Sequence, residues 1–183
     1  MKNKTGQVWI ETVLYTLIGL ALIGLTLTFI MPKINEAKDR SLIEQTITSL
    51  NLFDERISIV LDGGPGNVRF LDFTMKRGEF YIDGEKDEIR FVINDVKKPY
   101  TEPEKDVNVS GRVSARTDKM QKGYNITLNI PYKALADIKY NENDDNEKIT
   151  AAPTSYRFEI SNNGIPAGSP PEQKTIINIL SIR

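Results

Sequence analysis

From Thr12 to Pro32 the chain carries no charged side chain, and the centre of that stretch reads VLYTLIGLALIGLTLTFIM. At about 1.5 Å rise per residue, a helix of this length matches a hydrocarbon layer of about 30 Å. A buried helix of a soluble protein is seldom so long and apolar on every side. The run therefore predicts a transmembrane helix. Gly19 and Gly24 are tolerated in such a helix, where small residues let neighbouring helices approach, although their spacing is not that of a GxxxG pair.

Lys2 and Lys4 precede the run. Basic residues beside a first apolar segment stay cytoplasmic, so the C-terminal part is expected outside. A secretory signal has a shorter apolar region and a small-x-small cleavage site after it. Here the run is followed by MPKINEAKDR, and cleavage on the far side is not expected. Glu11 breaks the pattern at the edge of the apolar segment. A carboxylate costs up to about 2.5–3.5 kcal/mol at mid-membrane and less near the edge. Glu11 either sits at headgroup depth or has a partner charge.

These residues resemble those of type IV prepilins, in which a short basic leader ends in Gly and a Glu stands fifth after the cut. The chain has Lys4-Thr5-Gly6, then Gln7-Val8-Trp9-Ile10-Glu11. A cut after Gly6 makes Gln7 the first residue and Glu11 the fifth. The arrangement is similar to the class III signal peptides of archaeal surface proteins. It departs from them at Thr5, where a basic residue is frequent, at Trp9, where Ser is frequent, and at Tyr15, where Leu is frequent. The resemblance covers about the first thirty residues. It implies a prepilin peptidase acting at Gly6–Gln7, partnership with identical or related pilin subunits, and a role for Glu11 in assembly. Cleavage removes Lys2 and Lys4 and creates an amine on Gln7, with which Glu11 of a neighbouring subunit can pair in a low dielectric. Cyclisation of an N-terminal Gln would delete that charge.

Beyond the membrane run the helix is expected to continue to Asp62, with a kink at Pro32. Ile43, Ile47, Leu50, Ile57 and Leu61 form an apolar stripe, while Glu36, Lys38, Asp39, Arg40, Glu44, Asp54 and Glu55 occupy other faces. Asp62-Gly63-Gly64-Pro65-Gly66 is a strong helix breaker. From Asn67 the period changes to two. Val107, Val109, Val113 and Ala115 alternate with polar residues, as do Tyr124, Ile126, Leu128 and Ile130, and Tyr156, Phe158 and Ile160. Further strands are expected near 67–75, 79–83, 88–96 and 174–182, with loops at 132–150 and 162–173. About seven short strands without alternating helices predict an antiparallel β-sandwich or small barrel. The organisation expected is a leader at 1–6, a transmembrane and polymerisation helix at 7–32, its amphipathic continuation at 33–62, and an exterior β-domain at 67–183. The fold class is α+β.

The chain has no cysteine and no histidine. That excludes disulfides, thiol nucleophiles, thiolate metal sites, the Ser–His–Asp triad and the usual zinc ligands. A net charge of −1 gives no basic footprint for nucleic acid. No carboxylate pair stands out for acid–base chemistry, so no catalytic residue, metal or cofactor is expected. Asn141-Glu142-Asn143-Asp144-Asp145-Asn146-Glu147 is oxygen-rich but lacks the glycine and spacing of an EF-hand, and reads as a solvated loop tip. Gly63-Gly64-Pro65-Gly66 has no following Lys-Ser/Thr and reads as a linker rather than a phosphate loop. Asn108-Val-Ser110 and Asn125-Ile-Thr127 match the N-glycosylation sequon, both on the polar phase of their strands. Phe70, Phe73, Phe80, Tyr81 and Phe91 are expected in the sheet core. Two functions remain beside the filament subunit: an uncleaved single-pass anchor displaying a β-domain for a ligand, and a membrane-tethered enzyme, which would need a converging polar cleft.

Overall fold

A computed structural model describes residues 4–166 and 173–182. Lys2 of the expected leader and residues 167–172 of the expected loop lie outside the described residues. The first element is one helix, α1 (Lys4–Asp62), which runs through Pro32. Ten strands follow: β1 (Val68–Phe73), β2 (Glu79–Asp83), β3 (Glu88–Val96), β4 (Asp106–Ser110), β5 (Val113–Lys119), β6 (Tyr124–Pro131), β7 (Asp137–Tyr140), β8 (Asn146–Thr150), β9 (Tyr156–Gly164) and β10 (Ile176–Ile182). The chain divides into two compact units between Asp39 and Arg40, so α1 contributes to both.

In the second unit the strands form two open sheets. One has the order β1-β9-β10-β7 and the other β4-β5-β6-β3-β2-β8. Every pairing is antiparallel except β10 with β7, which is parallel. The α+β expectation holds, with ten strands among the described residues where the alternation predicts about seven. Two differences account for the excess. The alternating run 107–115 is a hairpin, β4 and β5, turned at Gly111 in the left-handed region (φ 54). The expected loop at 132–150 contains β7 and β8. The β9 strand also extends to Gly164, into the second expected loop.

The core is built where both sheets meet α1. Ile43, Ile47, Leu50, Phe53, Ile57 and Val60 of the helix are buried, and Leu61 is half-buried. Their spacing of three and four places them on one helix face. Phe53 lies 5.4–5.9 Å, between ring centroids, from Phe80, Phe158 and Phe73. Phe73 of one sheet and Phe80 of the other are 4.9 Å apart, so the two inner faces close around the Phe53 ring. Phe91 is also in this cluster, 6.4 Å from both Phe73 and Phe80. Tyr81 is half-buried and outside it, and Phe70 is exposed, with Arg157 5.3 Å above its ring. The expectation that Phe70 belongs to the core fails on parity. In a strand, residues 70 and 73 point to opposite faces, and Phe73 takes the inner one.

The helix stops where the breaker predicts. Gly63 N–H donates to Ile59 O at 3.0 Å and Gly64, at φ 75, donates to Leu61 O at 3.2 Å. Asn162, buried on β9, donates from Nδ2 to Val60 O at 3.1 Å and accepts from Gly164 N–H at 2.9 Å. A carbonyl orphaned by the helix end thus finds a side-chain donor.

Candidate functional site

The first unit is the apolar half of α1, and its chemistry follows from what its surface presents. None of the most apolar 18-residue window is buried within the protein, which separates it from the core helix of a soluble fold. Trp9 is 72% exposed and Phe29 76% exposed. Burying a side chain of this kind contributes about 1.5–3 kcal/mol, so covering the whole face is worth on the order of tens of kcal/mol. The helix is long and apolar enough to cross a membrane.

Four of its threonine hydroxyls bond back to the helix itself. Thr12 donates to Val8 O at 2.9 Å, Thr16 to Thr12 O at 2.8 Å, Thr26 to Leu22 O at 2.7 Å and Thr28 to Gly24 O at 2.9 Å. Each back-bond removes a polar group that hydrocarbon would otherwise leave unsatisfied. Side chains placed on Gly19 or Gly24 would meet no atom within 4 Å, so the clefts at these positions face outward. Glu11 is exposed. The expected cut at Gly6–Gln7 falls within α1. Lys33 and Glu36 form the first ion pair after the apolar stretch, at 3.7 Å.

In the second unit the polar side chains gather into structural clusters that the sequence alone did not single out. Asp54 of α1 binds Arg112 of β5's approach through Nη2 at 2.6 Å and Nε at 3.0 Å. It also accepts from the Tyr132 hydroxyl at 2.7 Å. Arg112 donates to Ser58 Oγ at 2.7 Å and lies 5.3 Å over the Tyr132 ring. Burial, then the neighbouring Asp54 charge, pushes the Tyr132 hydroxyl well above the usual tyrosine range. The cluster fastens the helix to two segments of the larger sheet. On that sheet's outer face Glu79 accepts from Lys148 at 2.5 Å and from the Tyr81 hydroxyl at 2.8 Å, bonds that hold its carboxyl below the usual range. Asp83, buried, accepts from Lys86 N–H at 3.1 Å and from Arg90 at 3.4 Å. Asp87 accepts from Ile138 N–H at 3.0 Å and from Lys174 at 3.4 Å. Burial raises the nearby Asp137 carboxyl, against the pull of Lys139.

Each cluster pairs an acid with a cation, a hydroxyl or a backbone N–H. Among the described residues no group of three His, Cys, Asp or Glu is placed to hold a metal ion. Residues 141–146 are exposed and Asp144 pairs with Lys139 at 2.8 Å. A groove of about 340 Å³ runs between residues 42–49 of α1 and the segment 73–77, walled by Leu42, Phe73, Met75 and Phe91 with Lys76 and Arg77 beside them. No carboxylate lines it. Asn108 is exposed on β4, whereas Asn125 is half-buried on β6.

Comparison with protein-family models, with curated proteins and with solved structures finds no match for this chain.

Proposed function

We propose that this chain is a type IV pilin-like structural subunit. It enters the membrane with its C-terminal β-domain outside, is processed by a prepilin peptidase between Gly6 and Gln7, and joins identical or related subunits in a cell-surface filament or a related assembly machine. It acts without catalysis, cofactor or nucleic acid. The observation that carries the reading is the division of labour along one helix. Residues 8–31 of α1 expose apolar side chains all round, while residues 43–60 supply the core of the β-domain. A helix of that kind fixes a folded head to a segment that only lipid or other helices can cover.

Glu11 supplies the register. Membrane burial of one carboxylate is costly, and a neighbour's Gln7 amine offsets that cost only when the two helices stand at one axial offset. Uncharged stretches of helix slide against one another with little preference, and a single pair selects one alignment.

The test is Glu11→Ala in the native host, with filaments counted by electron microscopy and the subunit quantified in isolated membranes. Membrane levels are expected to stay within about twofold while filaments fall at least tenfold, the effect of losing about 1.4 kcal/mol per contact. Unchanged filaments would contradict the role of Glu11. A chain that never forms filaments, keeps its leader and tolerates Glu11→Ala would instead be an uncleaved single-pass anchor that displays its β-domain for binding.

A further inference from the structure

The two sequons occupy unlike places in the fold. Asn125 lies on β6, a central strand flanked by β5 on one side and β3 on the other, although the register with β3 shifts around it, between Tyr124 and Ile126. It is half-buried, opposite Asp118. Asn108 lies on β4, the outer strand of the same sheet, which pairs with β5 alone. Asp106, Val107 and Asn108 are all exposed, and the pairing register shifts between Asn108 and Ser110, inside the sequon. Such an irregularity weakens the ladder locally and re-aims the strand.

Each of the sequon's two side chains holds one hydrogen bond, that of Asn108 exposed and that of Ser110 part-buried against α1. Asn108 Nδ2 donates to Gly111 O at 3.0 Å across the hairpin turn. Ser110 Oγ accepts from Asn51 Nδ2 at 2.9 Å, which leaves the hydroxyl its own proton to donate. A transferase needs the acceptor amide and the hydroxyl two residues on presented together on a strand it can lift from its neighbours. An edge strand next to a tight turn meets that need better than an interior strand held between two neighbours.

We infer that Asn108 is the N-glycosylated residue of this protein and that Asn125 is left bare. The inference rests on the exterior placement proposed above, not on filament assembly. The Asn108 amide nitrogen attacks the anomeric carbon of a glycan carried on a membrane lipid phosphate. The nitrogen–carbon bond forms as the carbon–oxygen bond to phosphate breaks. The lipid phosphate leaves with the bonding electrons, and the amide gives up one proton. The glycan then stands beside the open edge of β4, where unpaired backbone groups and the exposed Val107 side chain would otherwise invite another strand. It covers the hazard without entering the core.

The sequons fall on separate tryptic peptides, Asp106–Arg112 and Gly123–Lys133, so one digest of the protein purified from its native membrane reads both. Mass spectrometry is expected to find a glycan on most copies of the first peptide and none on the second. In Ser110→Ala, which keeps Asn108, the glycan is expected to disappear. Recovery of the first peptide only at its unmodified mass, transfer of the glycan to the second, or persistence of the glycan in Ser110→Ala would each overturn the inference. The same spectra report the N-terminus. A glycan on Asn108 of a chain that keeps its leader sinks the processing reading and leaves this one standing. A bare Asn108 on a chain beginning at Gln7 does the reverse.

Discussion

Removing the Asp54 carboxylate should loosen the fastening between helix and sheet by an amount that the geometry sets. Asp54→Ala deletes the acceptor of two Arg112 bonds at 2.6 and 3.0 Å and of the Tyr132 bond at 2.7 Å. Tyr132 is fully buried, so its hydroxyl is left without an acceptor, at a cost of about 1–3 kcal/mol. The ion pair adds less. The Arg112 side chain is 33% exposed and retains Ser58 and water, which limits its share to about 0–1 kcal/mol. The expected loss is about 1–4 kcal/mol, dominated by the orphaned hydroxyl. Tyr132→Phe alone leaves Asp54 paired with Arg112 and should cost about 0.5–1.5 kcal/mol. The double variant has no orphaned hydroxyl, so it should be more stable than the sum of the single losses predicts, by about 1 kcal/mol. The assay is urea unfolding of the full chain in detergent, followed by near-ultraviolet circular dichroism of the β-domain aromatics. Strictly additive losses, or an Asp54→Ala chain as stable as the parent, would refute the reasoning.

Two further outcomes follow from the same core. Phe53→Ala removes the ring around which both sheets close and should cost about 3–5 kcal/mol in the same unfolding assay, far more than Phe70→Ala, whose ring is exposed. The Tyr132 hydroxyl is raised above its ordinary 10.0 chiefly by burial. In the unfolded chain a phenol ionises near pH 10, while the folded one holds its proton. Stability from this group is therefore intact below about pH 10 and declines as pH rises further. Urea midpoints measured across that range should fall less steeply in Tyr132→Phe, and an identical slope would contradict the assignment.

The helix was legible because two physical codes lie along it in series. The absence of charge from Thr12 to Pro32 sets its apolar length, and the spacing of Ile43, Ile47, Leu50 and Ile57 sets its buried face. Phe53 and Val60 lie on the same face and extend that pattern. The β-domain was legible only in part. The hairpin at Gly111 was hidden because Val107, Val109, Val113 and Ala115 are all odd-numbered, so the alternation passes through the turn without changing phase. The strands β7 and β8 were masked by asparagine and acidic residues around them, although Ile138 and Ile149 point into the core. The cluster of Asp54, Arg112 and Tyr132 joins residues far apart in the chain, and nothing in local sequence marks such a meeting. Glu11 was legible as an anomaly because a carboxylate beside a long apolar run has an energetic cost that ordinary surface charges lack.

The central claim is that the leader is removed and the helix then serves assembly, and the N-terminus of the protein from its native membrane tests it most directly. Intact-mass and peptide spectra should show a chain beginning at Gln7, or at the ring formed when that glutamine cyclises with loss of ammonia. A chain that begins at Met1 or Lys2 would contradict the account and leave a permanent membrane anchor in its place.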